Sequence, residues 1–226
     1  MAELTRGASE LLEIVVRGNA RGSYPPERAL LSLSVDFSGP DRETVYTDAV
    51  EVQARIAESL TDLDERGAVS KWHSESVHVW SYRPVDPKGK PRELLYVTQI
   101  RVRTEFVDFD ELGTFIDTWA TVEGVDVGGV RWDVTDEGRL EHERDLRRQA
   151  VDDAVAKAQA YADAVGRGPV RAIQLADPDM LSNSAEPMSR MMVTGAPAAG
   201  GAAPTLELRA EDIHIAVSVD ARFVAG

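Results

Sequence analysis

The sequence predicts an α+β fold, a mostly antiparallel sheet with helices on one face. Three observations lead there. Several segments alternate apolar and polar residues with a period of two, as half-buried strands do. Others place apolar residues three and four apart, as amphipathic helices do. Over residues 29–134 the two kinds follow in the order β-α-β-β-α-β, the split βαβ or ferredoxin-like order.

Taken along the chain, Leu11–Gly18 reads as a strand with Ile14 and Val16 on one face. The segment Arg21–Glu27, with Pro25-Pro26, then reads as a turn. Ala29, Leu31, Leu33, Val35 and Phe37 then alternate with Leu30, Ser32, Ser34 and Asp36 in a second strand. Gly39-Pro40-Asp41 breaks that strand and opens a helix with the stripe Val45, Ala49, Val52, Ile56, Leu60 and Leu63. Gly67 stands where a left-handed C-cap belongs. Val69–Tyr82 reads as one extended strand, which puts Trp72, His78, Trp80 and Tyr82 on one face and His73 and His78 on opposite faces. With Leu94–Phe106 it forms a long antiparallel hairpin over 69–106, closed by the turn Pro84–Pro91.

Asp108 and Glu111 have capping-box spacing at the head of a second helix, expected to run to Val122 and stop at Gly124. Val130, Trp132 and Val134 form another strand. The longest helix covers 136–166, with Leu146, Ala150, Ala154 and Ala158 along one edge. Such small side chains bring a helix close to its partner surface. Val170–Ala176 reads as a strand, 177–206 as a flexible loop rich in Met, Pro, Gly and Ala, and 207–224 as the closing strand. No linker separates two cores, so 1–226 is expected to be one domain with 29–134 as its core. The alternative is a second lobe made of the long helix and the C-terminal strands.

The chain has 226 residues, no cysteine and a formal net charge of −14. Without Cys there is no disulfide framework, thiolate metal site or Cys nucleophile. The acidic balance argues against nucleic acid or anionic lipid as a partner, and no run of Lys and Arg points the other way. Much of the acid lies on outward helix faces, in Glu43, Asp48, Glu51, Glu58, Asp62, Asp152 and Asp163. Neither a signal-length apolar stretch nor a membrane-spanning window occurs, so the expected location is the cytoplasm, without membrane insertion.

Chemistry is sparse. His73, His78, His142 and His214 form no pair with metal-ligand spacing, and no phosphate-loop, dinucleotide or nucleophile-elbow motif occurs. No catalytic residue, metal or cofactor is assigned. The most site-like cluster is Trp72, His78, Trp80 and Tyr82, an aromatic face suited to a flat ligand or a partner. The loop carries four of the five methionines. Met188, Met191 and Met192 offer thioethers to Cu(I), but without Cys or a nearby His an adaptable hydrophobic contact or an idle loop explains them better. These three, with Ala150, Ala154 and Ala158, are the candidates for self-association.

Residues Ala150, Asp153, Ala154, Lys157, Ala158, Ala162 and Gly166 follow a pattern that resembles the alanine-rich helix of SIMPL-domain proteins. These include a bacterial periplasmic immunogen group and stress-linked relatives. Ile14–Gly18 with Pro25-Pro26-Glu27, the segment Val125–Val134 and the closing strand Ile213–Phe223 resemble other parts of that family, so the likeness spans nearly the whole chain. It implies an α+β fold, a tendency to self-assemble and a loose link to stress responses or the cell envelope, and it supplies no catalytic motif. The leading expectation is therefore a non-enzymatic homo-oligomer. The alternative is a small-ligand-binding or enzymatic module that uses the aromatic face of the hairpin.

Overall fold

The computed structural model describes residues 11–181 and 209–226. In chain order the elements are β1 (Leu12–Tyr24), β2 (Arg28–Gly39), α1 (Arg42–Glu65), β3 (Val69–Ser74), β4 (His78–Tyr82), β5 (Leu95–Phe106), α2 (Phe109–Trp119), β6 (Val125–Val127), β7 (Arg131–Asp133), α3 (Asp136–Ala164), β8 (Arg171–Ala176) and β9 (Ile213–Ala225). The fold is α+β. Residues 11–181 and 209–226 fall into two compact units. No described helix is long and apolar enough to cross a membrane.

The larger unit holds β2 to β7 with α1 and α2. Its strands run β3-β5-β2-β6, with β4 also on β5 and β7 also on β2. The pairings of β2 with β5, β6 and β7, and of β5 with β3 and β4, are antiparallel. The alternation in β2 buries Ala29, Leu31, Leu33 and Val35, and their neighbours Ile100, Val102 and Phe106 on β5 point the same way. Ile56, Leu60 and Leu63 of α1 and Leu112, Phe115 and Trp119 of α2 close this core, so both helices cover one face.

The helix ends follow their capping chemistry. Asp41 accepts the Thr44 N–H, and at the far end Gly67 adopts a positive φ while the Ala68 N–H reaches back to Leu63 O at 2.9 Å. Asp108 accepts from the Asp110 and Glu111 N–H groups, but the Glu111 carboxylate takes Arg66 at 2.9 Å instead of completing the box. The second helix stops at Trp119, a turn before the expected end at Val122. The first strand runs on to Tyr24, into the segment expected as a turn at 21–27. The strand expected at Val130–Val134 is β7, and a second short strand, β6, precedes it across Gly128-Gly129, whose Gly128 N–H bonds Ser32 O at 2.9 Å.

The smaller unit holds β1, α3, β8 and β9, with the sheet order β1-β9-β8. Its core is built from small residues. Ala154, Ala158, Ala162, Ala221 and Ala225 join Ile14, Val16 and Phe223. A Cβ at Gly18 would lie 1.9 Å from Ala150 O, so only glycine lets α3 settle this close to β1. Two α3 side chains then grip the β1 backbone: Asp153 accepts the Asn19 N–H at 2.7 Å, and Lys157 donates to Arg17 O at 3.0 Å. The pair bridges at 2.6 Å, and Lys157 with the Asn19 N–H holds the Asp153 carboxyl below its usual range.

Candidate ligand-binding face

The hairpin over 69–106 is not one continuous strand pair. On β3, Trp72 faces Thr104 and His73 faces Arg103, whereas on β4, His78 faces Gln99 and Trp80 faces Val97. Between them, at Glu75–Val77, the register slips by one residue. Because strand side chains alternate, a one-residue slip moves every following side chain to the other face.

Two expectations are corrected by this slip. Trp72 does not join His78, Trp80 and Tyr82: it lies opposite buried Thr104 and packs, half-buried, on the helix-covered core. His73 and His78 do not oppose each other, since their partners Arg103 and Gln99 stand on the same side of β5. The remaining aromatic group is His78, Trp80 and Tyr82. The His78 and Trp80 rings lie 5.1 Å apart, and Trp80 and Tyr82 are 38% and 48% exposed.

This trio lies on the sheet face that neither α1 nor α2 covers. The same face carries Leu30, Ser32, Ser34 and Asp36 from β2, and Gln99, Arg101, Arg103 and Glu105 from β5. Asp36 is fixed by Ser34 Oγ and by Gln99 Nε2, the latter at 2.7 Å. Glu75, in the slip itself, pairs with Arg103 at 2.8 Å. Arg28 reaches Glu105 at 3.4 Å and Asp133 at 3.3 Å. Two concavities open here. One, of about 620 Å³, is bounded by Glu75, Ser76, His78, Gln99 and Arg101. The other, of about 400 Å³, is bounded chiefly by Leu30, Ser32, Lys71, His73, Arg103 and Arg131. The sequence reading missed the second because its cations come from β3, β5 and β7, one from each strand.

Ala150, Ala154 and Ala158 lie elsewhere. All three are fully buried in the smaller unit, where Ala150 and Ala154 crowd Gly18, so they are spent inside the chain and offer no surface to a second copy. Met188, Met191 and Met192 lie outside the described residues. The sequence reading also missed a part-buried charge pair. Arg17 donates to both carboxylate oxygens of Asp220, at 2.6 and 3.0 Å, and to Asp179 at 2.7 Å, while Asp220 also accepts the Asp179 N–H. These bonds, Arg17 first, hold the Asp220 carboxyl below the ordinary range. The triad ties the 177–179 turn to β1 and β9. Among the described residues no group of three or more His, Asp and Glu is placed to hold a metal ion.

In a comparison with known families, the model of the SIMPL family, a protein of unknown function (DUF541), fits residues 14–223. Comparison with curated proteins finds no match. The chain belongs to the SIMPL family.

Proposed function

We propose that this SIMPL-family chain is a non-enzymatic binding protein that takes a small ligand on the face of its larger sheet opposite α1 and α2. The observation that carries the reading is the exposure of His78, Trp80 and Tyr82 on one sheet face, with His78 on the wall of the concavity of about 620 Å³. Exposed aromatic rings next to a concave surface of a few hundred Å³ suit a small molecule with a flat portion. The test is a ligand screen read by the NMR signal of the Trp80 indole, repeated on Trp80→Ala. Hits that move Trp80 in the parent and bind the variant more weakly support the reading. Hits that map only to the smaller unit, or none at all, overturn it.

Self-association is the second reading, and β8 is what favours it. Among the described residues this strand ends its sheet and is exposed along almost its whole length, with Ile173 and Leu175 at 46% and 52%. An open apolar edge is a template for pairing with another strand. Sedimentation of the full chain tests it: Leu175→Lys shifts an oligomer toward monomer, and a parent that is monomeric at micromolar concentration ends the reading. A cytoplasmic address and a stress-linked role belong to the same proposal, and imaging a tagged full-length copy tests the first. We read the two units as one SIMPL module, since the family match runs through both. The ferredoxin-like reading of the larger unit rests on its strand order.

A further inference from the structure

Resting on the small-ligand reading above, we propose that the concavity bounded by Lys71, His73, Arg103 and Arg131 binds a phosphomonoester group. The first support is charge. In a chain of net charge −14, the lining of this one hollow carries three permanent cations and a single acid, Glu105. That acid is already engaged, by Arg28 at 3.4 Å and by Ser70 Oγ at 2.8 Å. Arg103 is steadied by Glu75. Lys71 and Arg131 make no ion pair with any described residue, so their charge is directed at the hollow and not at a neighbour.

The second support is geometry. The cations come from three strands, β3, β5 and β7, around the place where the sheet edge is interrupted. The interruption has a definite cause. β6 pairs with Leu33–Val35 and β7 with Arg28–Leu30, and the Gly128-Gly129 link bows between them, leaving Ser32 and Leu30 as the floor. Two guanidinium groups give planar, forked donors of the kind that match a tetrahedral oxyanion, and Lys adds a point charge. Ser32 brings a hydroxyl. Leu30 gives an apolar surface on which the organic part of an ester can rest. The volume, about 400 Å³, lies in the range of small-molecule sites.

The charge count selects the ligand class. A phosphomonoester is close to dianionic at neutral pH, its second pKa being about 6. A simple carboxylate brings one charge and leaves more of the cationic lining unanswered. The aromatic trio lies further along the same face, beyond Arg101 and Gln99.

The experiment titrates the full chain with phenyl phosphate, inorganic phosphate and benzoate by calorimetry, and maps contacts by NMR. The expected result is that both phosphates bind, phenyl phosphate more tightly, with shifts at His73 and Arg103. Benzoate is expected to bind at least about tenfold more weakly than phenyl phosphate. Affinity falls as salt is raised, as it must for a charge-driven site. Lys71→Ala with Arg131→Ala lowers phosphate affinity at least about tenfold while the melting temperature stays within a few degrees, since both side chains are exposed and unpaired. The milder pair Lys71→Gln with Arg131→Gln gives the same loss should the alanines disturb the strand.

Unchanged phosphate affinity in both double variants overturns the proposal, as does equal binding of benzoate or mapping to another surface. The two readings fail separately. If phosphate does not bind but the screen yields neutral ligands that move Trp80, the phosphate proposal falls and the binding face stands. If nothing moves either Trp80 or His73, both fall.

Discussion

In the larger unit α1 meets its sheet through Ile56, Leu60 and Leu63, against Leu33, Val35 and Ile100. In the smaller unit α3 meets β1 through Ala150, Ala154 and Ala158, against Gly18 and Val16. Large interlocking side chains hold a helix at a distance and resist being cut down, because a cavity remains. Small ones bring main chain against main chain and resist being built up, because backbone cannot step aside. In the first arrangement adhesion comes from apolar area. The second also draws on polar grips, Asp153 and Lys157 on the β1 backbone, that only close approach permits. The residues that mark the family resemblance in α3 are therefore those that build this close contact.

The sharpest way to break the comparison is Gly18→Ala. Its added Cβ would lie 1.9 Å from Ala150 O and 2.8 Å from the Ala154 Cβ. The expected loss is more than about 3 kcal/mol, at the upper end for overpacking. Hydrogen exchange is expected to speed up in β1, α3 and β9 while β2 and β5 keep their protection. Uniform loss across both units would show that the two cores melt as one. The complementary cut is Leu33→Ala, at a side chain 1% exposed. It is expected to cost about 3 kcal/mol in denaturant unfolding, with exchange accelerated in β2 and β5 first.

Asp220→Asn probes the polar side of the smaller unit and is expected to cost about 2 kcal/mol, since it removes a charge-assisted pair whose acid is 10% exposed. Its pH dependence has a definite sign. In the folded chain Asp220 ionises below the ordinary Asp value, so its stabilisation is fully present above about pH 4. That stabilisation is lost as pH falls through the depressed folded value. The variant should therefore show a flatter acid limb than the parent in melting temperature against pH. A parallel limb would mean that Arg17 does not favour the ionised form. The smallest effect belongs to Asp108→Ala, which removes the N-cap of α2 and should cost about 1 kcal/mol by thermal melting. A loss confined to the larger unit keeps the two cores distinct.

Element types were largely legible because periodicity is a local property. The period of two in Ala29–Phe37 and the stripe from Val45 to Leu63 specify buried faces without knowledge of the partner. The helix terminator Gly67 was legible for the same reason, and it takes a positive φ. The aromatic site was legible only in part. Reading Val69–Tyr82 as one strand assigns faces by counting, and counting fails after the slip at Glu75–Val77, which no composition signal announces. The cationic hollow was invisible because Lys71 and Arg131 become neighbours of one cavity only through β5 and β2 pairing. The alanines were read correctly as a close-contact surface and assigned to the wrong partner: the surface they approach belongs to their own chain.

The order β1-β9-β8 has a consequence in time. The strands and helices of the larger unit all lie between Arg28 and Asp133, so a growing chain can assemble them before α3 has left the ribosome. The smaller unit has no such freedom. Its central strand, β9, begins at Ile213, while the strand it must pair with, β1, ends at Tyr24. During synthesis Ile14 and Val16 must wait for about two hundred further residues before Ala221 and Phe223 emerge. That interval is when the nascent protein most needs a chaperone, and when a stalled or truncated product is most exposed to proteolysis.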